Sequence, residues 1–486
     1  MLELLPSLLP HLIALGAAAL ALVASAHAVL HKREVRAAVG WVGLIWLVPV
    51  VGAVLYALLG INRIQRRAVA LRAGRQRLLG TAGDAVCDLQ ALERHLDAQP
   101  PPAQHLLALA RAVNRVVARP LLAGNRIVPL RDGDEAYPEM VGAIEAAERS
   151  VALASYIFEV DEAGKPFIEA LARAVSRGVA VRVLIDAVGV RYGWPPADRA
   201  LRAAGVPCAL FLRPRVPWRW AYLNLRNHRK LLVVDGRLGF TGGLNVRGLH
   251  LRARHGAAAH LDTHFRLEGP VVSHLLEVFR EDWTFATGEQ LEGEPWRSRA
   301  EPAGGVVARA ISAGPDEDHE KLLWTILAAL ATARRAVRIV TPYFLPDEPL
   351  ASMLAVAALR GVEVDVIIPE RPNLRLVGWA ARGWVEQVLR HGVRVWFSPP
   401  PFDHSKLMTV DGCWSLLGSA NWDPRSLRLN FELDLECYDA ALAAEIDARI
   451  ERKRAAARPA SLQELGARSL AVRLRDGLAR LLTPYL

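Results

Sequence analysis

The sequence predicts an α/β fold made of two similar halves, preceded by a hairpin of two transmembrane helices. Apolar strands alternate with helical patterns along most of the chain, which is typical of a sheet covered by helices. The same short segments recur at a long interval, which indicates an internal duplication rather than a solenoid of short repeats. Two long apolar segments without Asp, Glu, Lys or Arg open the chain.

The composition limits the classes of protein and partner. The 486 residues leave room for two or three domains, and 52% of them are hydrophobic. The net charge of +10 favours polyanionic partners, either nucleic acid or an anionic membrane surface, without distinguishing them. The cysteines are scattered and form no metal-ligand spacing: Cys87, Cys208, Cys413 and Cys437. A reducing compartment fits this pattern, and neither a metal nor another cofactor is expected.

The apolar segments, residues 8–30 and 37–61, are each long enough to cross a hydrocarbon core of about 30 Å as a helix. The short stretch between them allows only a tight hairpin. A cleaved secretory signal is the alternative for the first segment, because Ala26-His27-Ala28 offers small residues. However, the chain start carries Glu3 and no basic residue, the reverse of a signal. Because the segment contains Pro10, a re-entrant or shallow hairpin is a further alternative.

Basic residues predict the orientation of the hairpin. Its loop carries Lys32, Arg33 and Arg36. The stretch after the second segment carries twice as many: Arg63, Arg66, Arg67, Arg72, Arg75 and Arg77. Two crossings return the chain to the same side, so the positive-inside rule places the large C-terminal part in the cytoplasm. We therefore expect a multi-pass protein of the cell (inner) membrane.

The rest of the chain divides by pattern into a neck, two halves and a tail. The first half reads as a helix, a strand, a helix and a strand over residues 137–149, 151–158, 166–177 and 180–186. The second repeats this order with strands over 337–342 and 362–368, and a Gly- and Pro-rich linker lies within 287–303. The predicted domains are a hairpin (1–62), a basic helical neck (63–120), a first half (121–300), a second half (301–455) and a basic amphipathic tail (456–486).

Two segments outside the repeat have open interpretations. Residues 213–226 form an arm in the first half that interleaves Trp218, Trp220 and Tyr222 with arginines. This arm either contacts lipid headgroups or packs on the core. In the tail, leucines recur at helical spacing with arginines between them: Leu470, Leu474, Leu478 and Leu481. The tail helix either lies on an anionic bilayer or docks on the domain.

A polar motif occurs twice with identical spacing. In each copy a His is followed by a Lys two residues later, an Asp five residues after that, and an Asn ten residues further on. The copies comprise His228, Lys230, Asp235 and Asn245, and His404, Lys406, Asp411 and Asn421. A lone His would be read as structural, but repetition with fixed partners favours chemistry.

The spacing predicts how these side chains are presented. The apolar residues after each Lys indicate a short strand, and the following Asp-Gly pair indicates a turn. Residues two apart on a strand share a face, so each His lies beside its Lys and forms an anion site with a titratable nucleophile or proton carrier. Gly243 and Ser419, which precede the asparagines, leave room for a close backbone approach. Because Asp235 and Asp411 begin Asp-Gly turns, they are equally expected as turn or ion-pair residues, and we assign them no proton transfer.

The two copies resemble the paired HxKxxxxD motifs of the phospholipase D superfamily. The surrounding residues, including Tyr156-Ile157-Phe158 and Leu429-Asn430-Phe431-Glu432, resemble those of bacterial cardiolipin synthases. The resemblance implies two phospholipase D-like α/β sandwich halves related by a pseudo-twofold axis. It places both motif triads, aspartates included, among the catalytic residues. It also implies that Glu268 and Glu432 hydrogen-bond the imidazoles and thereby control their tautomers.

The resemblance further implies a phosphatidyl transfer through a phosphohistidine. His228 is the expected nucleophile and His404 the acid and base, with the reverse assignment open. Lys230, Lys406 and the two motif asparagines are expected to hold the phosphate oxygens. Phosphatidylglycerol would be donor and acceptor, and no nucleic-acid partner is expected. The alternatives are a phospholipase D-type hydrolase, transfer to another alcohol, a superfamily nuclease and a non-enzymatic membrane scaffold; the oligomeric state is left open.

Overall fold

The structure is a computed structural model that describes residues 5–32, 35–60, 85–212, 225–315 and 318–483. The described residues fall into two compact units. The first contains the N-terminal apolar helices, and the second contains the residues from 85 onward. Both predicted halves, with their His and Lys residues, belong to the second unit.

The N-terminal unit contains the helices Leu5–His31, Val35–Leu47 and Pro49–Leu55, followed by a π-helical turn, Tyr56–Gly60. Among the described helices, only the first, over Pro10–His31, is long and apolar enough to cross a membrane, where the sequence predicts two. The second apolar segment bends at Val48, because the proline that follows has no N–H to continue the helical ladder. The helices of this unit pack through a small buried cluster: Ala21, Ala28, Ile45 and Tyr56.

The second unit is organised around one large sheet. Its strands in chain order are β1 (Leu122–Arg131), β2 (Ser150–Ser155), β3 (Ala180–Asp186), β4 (Cys208–Phe211), β5 (Leu231–Val234), β6 (Leu238–Gly242), β7 (His260–Leu261), β8 (Thr263–Glu268), β9 (Val306–Ala313), β10 (Ala336–Val340), β11 (Glu363–Pro369), β12 (Arg394–Ser398), β13 (Phe402–Asp403), β14 (Leu407–Val410), β15 (Trp414–Gly418), β16 (Glu432–Tyr438) and β17 (Arg458–Pro459). β7 and β13 pair separately as a short parallel ladder, and the others share the large sheet.

The strand order repeats outward from the centre of this sheet. β1 pairs with β9 in antiparallel fashion at the junction of the halves. From β1 the order runs β8, β6, β5, β2, β3 and β4; from β9 it runs β16, β15, β14, β10, β11 and β12. In both directions the outer three of these strands are parallel to one another and the inner ones are antiparallel, and β17 adds an antiparallel edge strand next to β12. One continuous sheet therefore carries both halves of the duplication.

Helices cover the sheet and enclose a core in each half. Those of the first half are Asp132–Glu145, Gly164–Ser176, Ala197–Ala203, Arg252–His255 and Val272–Thr287. Those of the second half and tail are Lys321–Thr332, Glu348–Leu359, Arg375–Leu389, Pro424–Arg428, Ala440–Ala456, Leu462–Gly466 and Leu470–Leu481. The strands predicted around residues 151, 180, 337 and 362 correspond to β2, β3, β10 and β11. Their buried apolar side chains form the pattern from which the sequence predicts these strands.

The described part of the predicted neck belongs to the globular unit. Residues 61–84, which include the six arginines used for the orientation, lie outside the described residues. The helices Leu89–Asp97 and Leu107–Val116 each have one apolar face. Those faces are buried in the core of the second half, through Leu92, Leu96 and Val113 among others. The prediction of a separate neck is therefore corrected for residues 89–116, because their apolar stripes need a core to cover them.

Candidate active site

Each His-Lys pair lies on extended backbone directly before a short strand. His228 and Lys230 precede β5, and His404 and Lys406 precede β14. Within each pair the Lys ammonium donates a hydrogen bond to the His carbonyl oxygen, at 2.6 Å for Lys230 Nζ. In the second pair Lys406 Nζ also lies 2.7 Å from His404 Nδ1, so these two side chains lie on the same side of the backbone, as the spacing predicts.

Arg229, between His228 and Lys230, points away from them and bonds to Asp282 of its own half and to two backbone oxygens of the other half. Its buried guanidinium donates to Asp282 Oδ1 at 2.6 Å. It also donates to the backbone oxygens of Glu432 at 3.0 Å and of Ala313 at 3.2 Å. A buried arginine with a carboxylate and two carbonyls as acceptors has its charge compensated. It thus fixes the first motif against β9 and the start of β16.

The two motifs lie against the opposite halves through matching contacts. His228 N donates to Phe431 O at 2.9 Å, and His404 N donates to Leu261 O at 2.7 Å. His228 Nδ1 is 2.9 Å from Glu432 Oε2, and His404 Nδ1 is 2.7 Å from Asp262 Oδ2. Each imidazole therefore has a carboxylate partner supplied by the other half.

Asp262 takes the place expected for Glu268. The Glu268 carboxylate is partly exposed at the end of β8 and pairs with Arg266 at 2.9 Å, so its predicted contact with an imidazole is wrong. Asp262 directly precedes β8, and Glu432 is the first residue of β16, the corresponding strand of the other half. A short helical insertion at residues 252–258 changes the distance from the motif Asn to this strand. Both carboxylates lie at the start of the strand that pairs with β6 or β15, and this shared position is the signal that points to Asp262.

Gly243 and Ser419 hold equivalent positions and each fits the carboxylate beside it. A Cβ atom on Gly243 would stand 2.1 Å from Asp262 Oδ1, so only glycine leaves the carboxylate in place. Ser419 Oγ instead donates to Glu432 Oε2 at 2.6 Å. These two residues, predicted to support the phosphate, touch the carboxylates that orient the imidazoles.

The motif asparagines are buried beside the His-Lys pairs. Asn245 Oδ1 accepts a hydrogen bond from Ile157 N at 3.0 Å. Because the acceptor end of the amide is used in this way, its nitrogen is the group that can be offered to a phosphate oxygen. Asn421 has the same low exposure at the equivalent position of the second half.

The motif aspartates connect each motif hairpin to the start of the adjacent strand. Asp235 accepts from the backbone N–H groups of Glu148, Arg149 and Ser150. Asp411 accepts from those of Arg334, Arg335 and Ala336, and also from His105 Nε2 at 2.6 Å. Both have positive φ angles, of 54° and 53°, as does the glycine that follows each. These contacts support the interpretation of the aspartates as turn and ion-pair residues.

Burial shapes the electrostatics of the site. Burial lowers the pKa of Lys230 to about 7 and that of Lys406 to about 8, with partial compensation by Glu432 and Asp262. Burial also lowers the pKa of both imidazoles, further for His404, where the charge of Lys406 adds to the effect. An anionic phosphate between these groups would favour their protonated forms, so the site is suited to bind one.

The pKa values of the two carboxylates shift in opposite directions. Burial raises the pKa of Asp262, and the charge of Lys406 only partly opposes this. At Glu432, burial is outweighed by His228 and Lys230, so the pKa of this carboxyl is lowered. An ionised Glu432 is the better acceptor for an imidazole N–H, and it would leave the Nε2 lone pair of His228 free.

The two imidazoles have different neighbours. The Tyr156 ring lies 5.1 Å from that of His228, and Lys230 Nζ is 5.6 Å from the Tyr156 ring centre. His404 instead has His250 at 6.4 Å and Phe402 at 6.1 Å between ring centres. Apart from Tyr156, none of these neighbours was predicted from the sequence: Phe402 lies in β13 and His250 in a short helical turn after the first motif. Most of the predicted aromatic arm, residues 213–224, lies outside the described residues.

The chain matches a known family over most of this unit. A family profile described as "Cardiolipin synthase, PLD-like domain" matches residues 140–283 and 326–454, one segment in each half. A second, "Phospholipase_D-nuclease N-terminal", matches residues 19–60. The chain belongs to the cardiolipin synthase family of the phospholipase D superfamily.

Relatives cover nearly the whole length of this family member. It is 33% identical to "Cardiolipin synthase A" of Pseudomonas entomophila over 96% of each chain. It is 32% identical to "Cardiolipin synthase" of Geobacillus kaustophilus over 94% of this chain and 90% of the relative. The fold is similar to the crystal structure of phosphatidylserine synthase from Haemophilus influenzae, with a TM-score of 0.61 over 78% of this chain and 100% of the other, at 15% identity.

Proposed function

We propose that this chain is a phosphatidyltransferase that makes cardiolipin. It would transfer a phosphatidyl group from one phosphatidylglycerol to a second and release glycerol. The observation that carries the proposal is the pair of His-Lys couples, each with a carboxylate from the opposite half on the imidazole Nδ1. The family of the chain supplies the substrate class, and the site supplies the groups that phosphoryl-type transfer needs.

In the first step, Nε2 of neutral His228 attacks the phosphorus of the donor lipid. An N–P bond forms while the P–O bond to glycerol breaks, and His404 gives its proton to the departing glycerol oxygen. Glu432 accepts the Nδ1 proton of His228 in a hydrogen bond, which keeps Nε2 available for attack. The phosphatidyl group is then held on His228.

In the second step, the neutral His404 takes a proton from the hydroxyl of the second phosphatidylglycerol. The deprotonated oxygen forms a new P–O bond, the N–P bond breaks, and His228 is regenerated. Asp262, at 2.7 Å from His404 Nδ1, stabilises the imidazolium that forms each time this ring gains a proton. Protons and bonds balance over the two steps.

Lys230 and Lys406 would hold the equatorial phosphate oxygens, with amide N–H groups from Asn245 and Asn421. Negative charge grows on these oxygens in each transition state, and fixed cationic donors in a buried site stabilise it. Both lysines are almost fully buried, so little water competes for their donors. This electrostatic work requires no cofactor.

The architecture proposed around this chemistry has three parts. A pseudo-twofold axis would relate the halves, as the mirrored strand order supports. Residues 8–30 and 37–61 would form a two-helix membrane hairpin, which anchors the chain in the bilayer that contains the acceptor lipid. The catalytic halves would face the cytoplasm, as the basic residues that flank the second segment favour.

Product analysis tests the proposed reaction. The full chain, reconstituted in phosphatidylglycerol vesicles labelled in the terminal glycerol, is expected to release labelled glycerol and form an equal amount of cardiolipin. Phosphatidic acid as the main lipid product would instead indicate a hydrolase and overturn the proposal. His404→Ala should abolish cardiolipin formation, and undiminished formation would overturn the role of this residue.

A donor with a good leaving group tests which imidazole is the nucleophile. With phosphatidyl-p-nitrophenol, departure of nitrophenolate needs no acid. The His404→Ala variant should therefore release one equivalent of nitrophenolate and then stop, with the phosphatidyl group still bound to His228. His228→Ala should give no such burst. The opposite result would assign the nucleophile to His404.

A further inference from the structure

The C-terminal helix Leu470–Leu481 docks on the second half through a polar face. Asp476 is buried, and its carboxylate accepts from Arg468 Nη1 at 2.6 Å and from Arg475 Nε at 2.9 Å. Ala479, on the same side, packs in a small buried cluster with Leu345, Val377, Ala380 and Ala381. The ion pairs of Asp476 are thus internal to the tail, while the second half is contacted by Ala479 and by Arg468, whose Nη2 lies 3.6 Å from Glu386 Oε2.

The leucines of this helix point away from the protein. At about 100° per residue, residues 470, 474, 478 and 481 form one narrow stripe on the side opposite to Asp476 and Ala479. Their exposed fractions are 71%, 58%, 65% and 71%. A docked amphipathic helix ordinarily buries its apolar stripe against the core, and here the arrangement is reversed. Four aligned exposed leucines make a continuous patch rather than scattered surface residues.

The charges around this leucine stripe are positive. Arg473, Arg475 and Arg480 are exposed on the same helix. Their positions are partly fixed, since the Arg475 guanidinium lies 4.6 Å from the Trp379 ring and that of Arg480 lies 5.7 Å from the Trp384 ring. Asp476, the acidic residue of the helix, is buried and paired, so it does not offset the arginines at the surface.

We propose that the leucine stripe of this helix is a contact surface for an anionic lipid bilayer. The leucines would enter the boundary between headgroups and acyl chains, while the arginines bind lipid phosphates beside them. A second copy of the chain fits less well, because it would bring a like-charged arginine stripe against this one. This contact lies outside the His-Lys site and does not depend on the reaction proposed above.

An environment-sensitive fluorophore on the full chain tests this surface. Leu470→Cys labelled with nitrobenzoxadiazole is compared with a matched control, Leu359→Cys, on another helix with an exposed fraction of 69%. Cys208 is first replaced by serine. The other cysteines are buried, and burial raises the pKa of their thiols, so they react poorly. Both labelled proteins are reconstituted in vesicles of phosphatidylcholine with or without phosphatidylglycerol.

The probe at 470 is expected to brighten about twofold or more in phosphatidylglycerol vesicles and to be quenched by spin-labelled lipid. It should lose this signal in phosphatidylcholine alone or in high salt, which screens the arginines. The probe at 359 should stay open to aqueous iodide throughout. Equal iodide quenching at the two positions would overturn the proposal. So would a shielded probe at 470 that lipid does not quench and that depends on protein concentration, which would indicate contact between copies.

Because the readout is the environment of the probe, it is independent of catalysis. If the chain makes no cardiolipin but its leucines insert into the bilayer, the proposal for the leucine stripe stands and the proposed reaction is overturned. Lipid contact that is equal in both types of vesicle would overturn the requirement for anionic headgroups.

Discussion

The carboxylate beside each imidazole of the candidate site faces Nδ1 and therefore favours a proton on that ring nitrogen. Asp262 and Glu432 occupy equivalent positions, yet the side chain of Asp262 is one methylene group shorter than that of Glu432. Gly243 compensates at Asp262 by allowing a close approach, and Ser419 adds a hydroxyl donor at Glu432. The same function is thus reached with different residue pairs in the two halves.

Asp262→Asn should therefore reduce cardiolipin formation by about 10²–10⁴-fold, because an amide cannot stabilise the imidazolium form of His404 or fix its tautomer. Initial rates with phosphatidylglycerol vesicles measure this change. The matched control is Glu268→Gln, which removes a partly exposed ion pair and should leave the rate within about twofold. Equal losses in the two variants would restore the original assignment of Glu268.

The lysines should impose an alkaline limit on activity. Because burial lowers their pKa values to about 7 for Lys230 and about 8 for Lys406, both are charged below pH 7 and both are neutral well above pH 8. Binding of the phosphate needs the charged forms, so kcat/KM of the free enzyme should fall as pH rises through this window. A pH profile from 5 to 10 measures it.

Lys406→Arg provides the control for this assignment. A guanidinium remains charged over the whole range, so the residual activity of the variant should fall less steeply above pH 8. If kcat/KM falls equally steeply above pH 8 in the variant, a group other than Lys406 causes the fall. The geometry of an arginine differs from that of a lysine, so its maximal rate is expected to be lower.

At the scale of elements, each Asp-Gly turn connects a motif hairpin to the start of the strand beside it, β2 in the first half and β10 in the second. The Asp411 carboxylate satisfies three backbone donors at the start of β10 and also binds His105, which precedes the helix Leu107–Val116. Burial raises the pKa of this carboxyl, but these donors outweigh it and hold the pKa at about 2. The contact thus links three elements of the second half.

Asp411→Asn should accordingly destabilise the fold by about 2–4 kcal/mol, since charged hydrogen bonds are lost at a buried site. Thermal unfolding in detergent measures the change. The pKa of Asp411 is depressed in the folded state, so its contribution is present above pH 3.8 and is lost as pH falls toward 2. Asp97→Asn, at an exposed carboxylate, should change stability by about 0.5 kcal/mol or less. A stable but inactive Asp411 variant would instead indicate a direct role in the chemistry.

At the scale of the whole molecule, one continuous sheet holds the two halves of a single chain together, and both halves contribute residues to the candidate site. β1 and β9 pair at its centre, and each half supplies the carboxylate for the imidazole of the other. Neither half therefore contains a complete set of interacting groups.

Mixing two inactive variants tests this single-chain site. When His228→Ala and His404→Ala are co-expressed or co-reconstituted, no activity should return, because every chain then lacks one imidazole of its own site. Cardiolipin formation in the mixture, compared with each variant alone, is the measurement. Recovery to about a quarter of the wild-type rate would indicate that halves are exchanged between chains, as in domain-swapped oligomers.

The sequence alone determined the features that depend on local order. Periodicity located the strands β2, β3, β10 and β11, and fixed offsets identified the paired His, Lys, Asp and Asn residues. These predictions depend only on residues that are close in the sequence, because side chains alternate between the faces of a strand and an Asp-Gly pair forms a turn. The strand that follows each His-Lys pair was likewise predicted from its apolar residues.

Only the tertiary structure decided which groups meet across the halves. The partner of His404 is Asp262 because β7 pairs with β13, a register that no local pattern encodes. Packing likewise placed the helices of residues 89–116 in the core, where their apolar faces are covered. It also turned the leucines of the last helix outward, because Ala479 and the arginines beside Trp379 and Trp384, rather than the leucines, contact the second half. Long-range strand pairing and burial are properties of the folded chain as a whole, so patterns among neighbouring residues do not predict them.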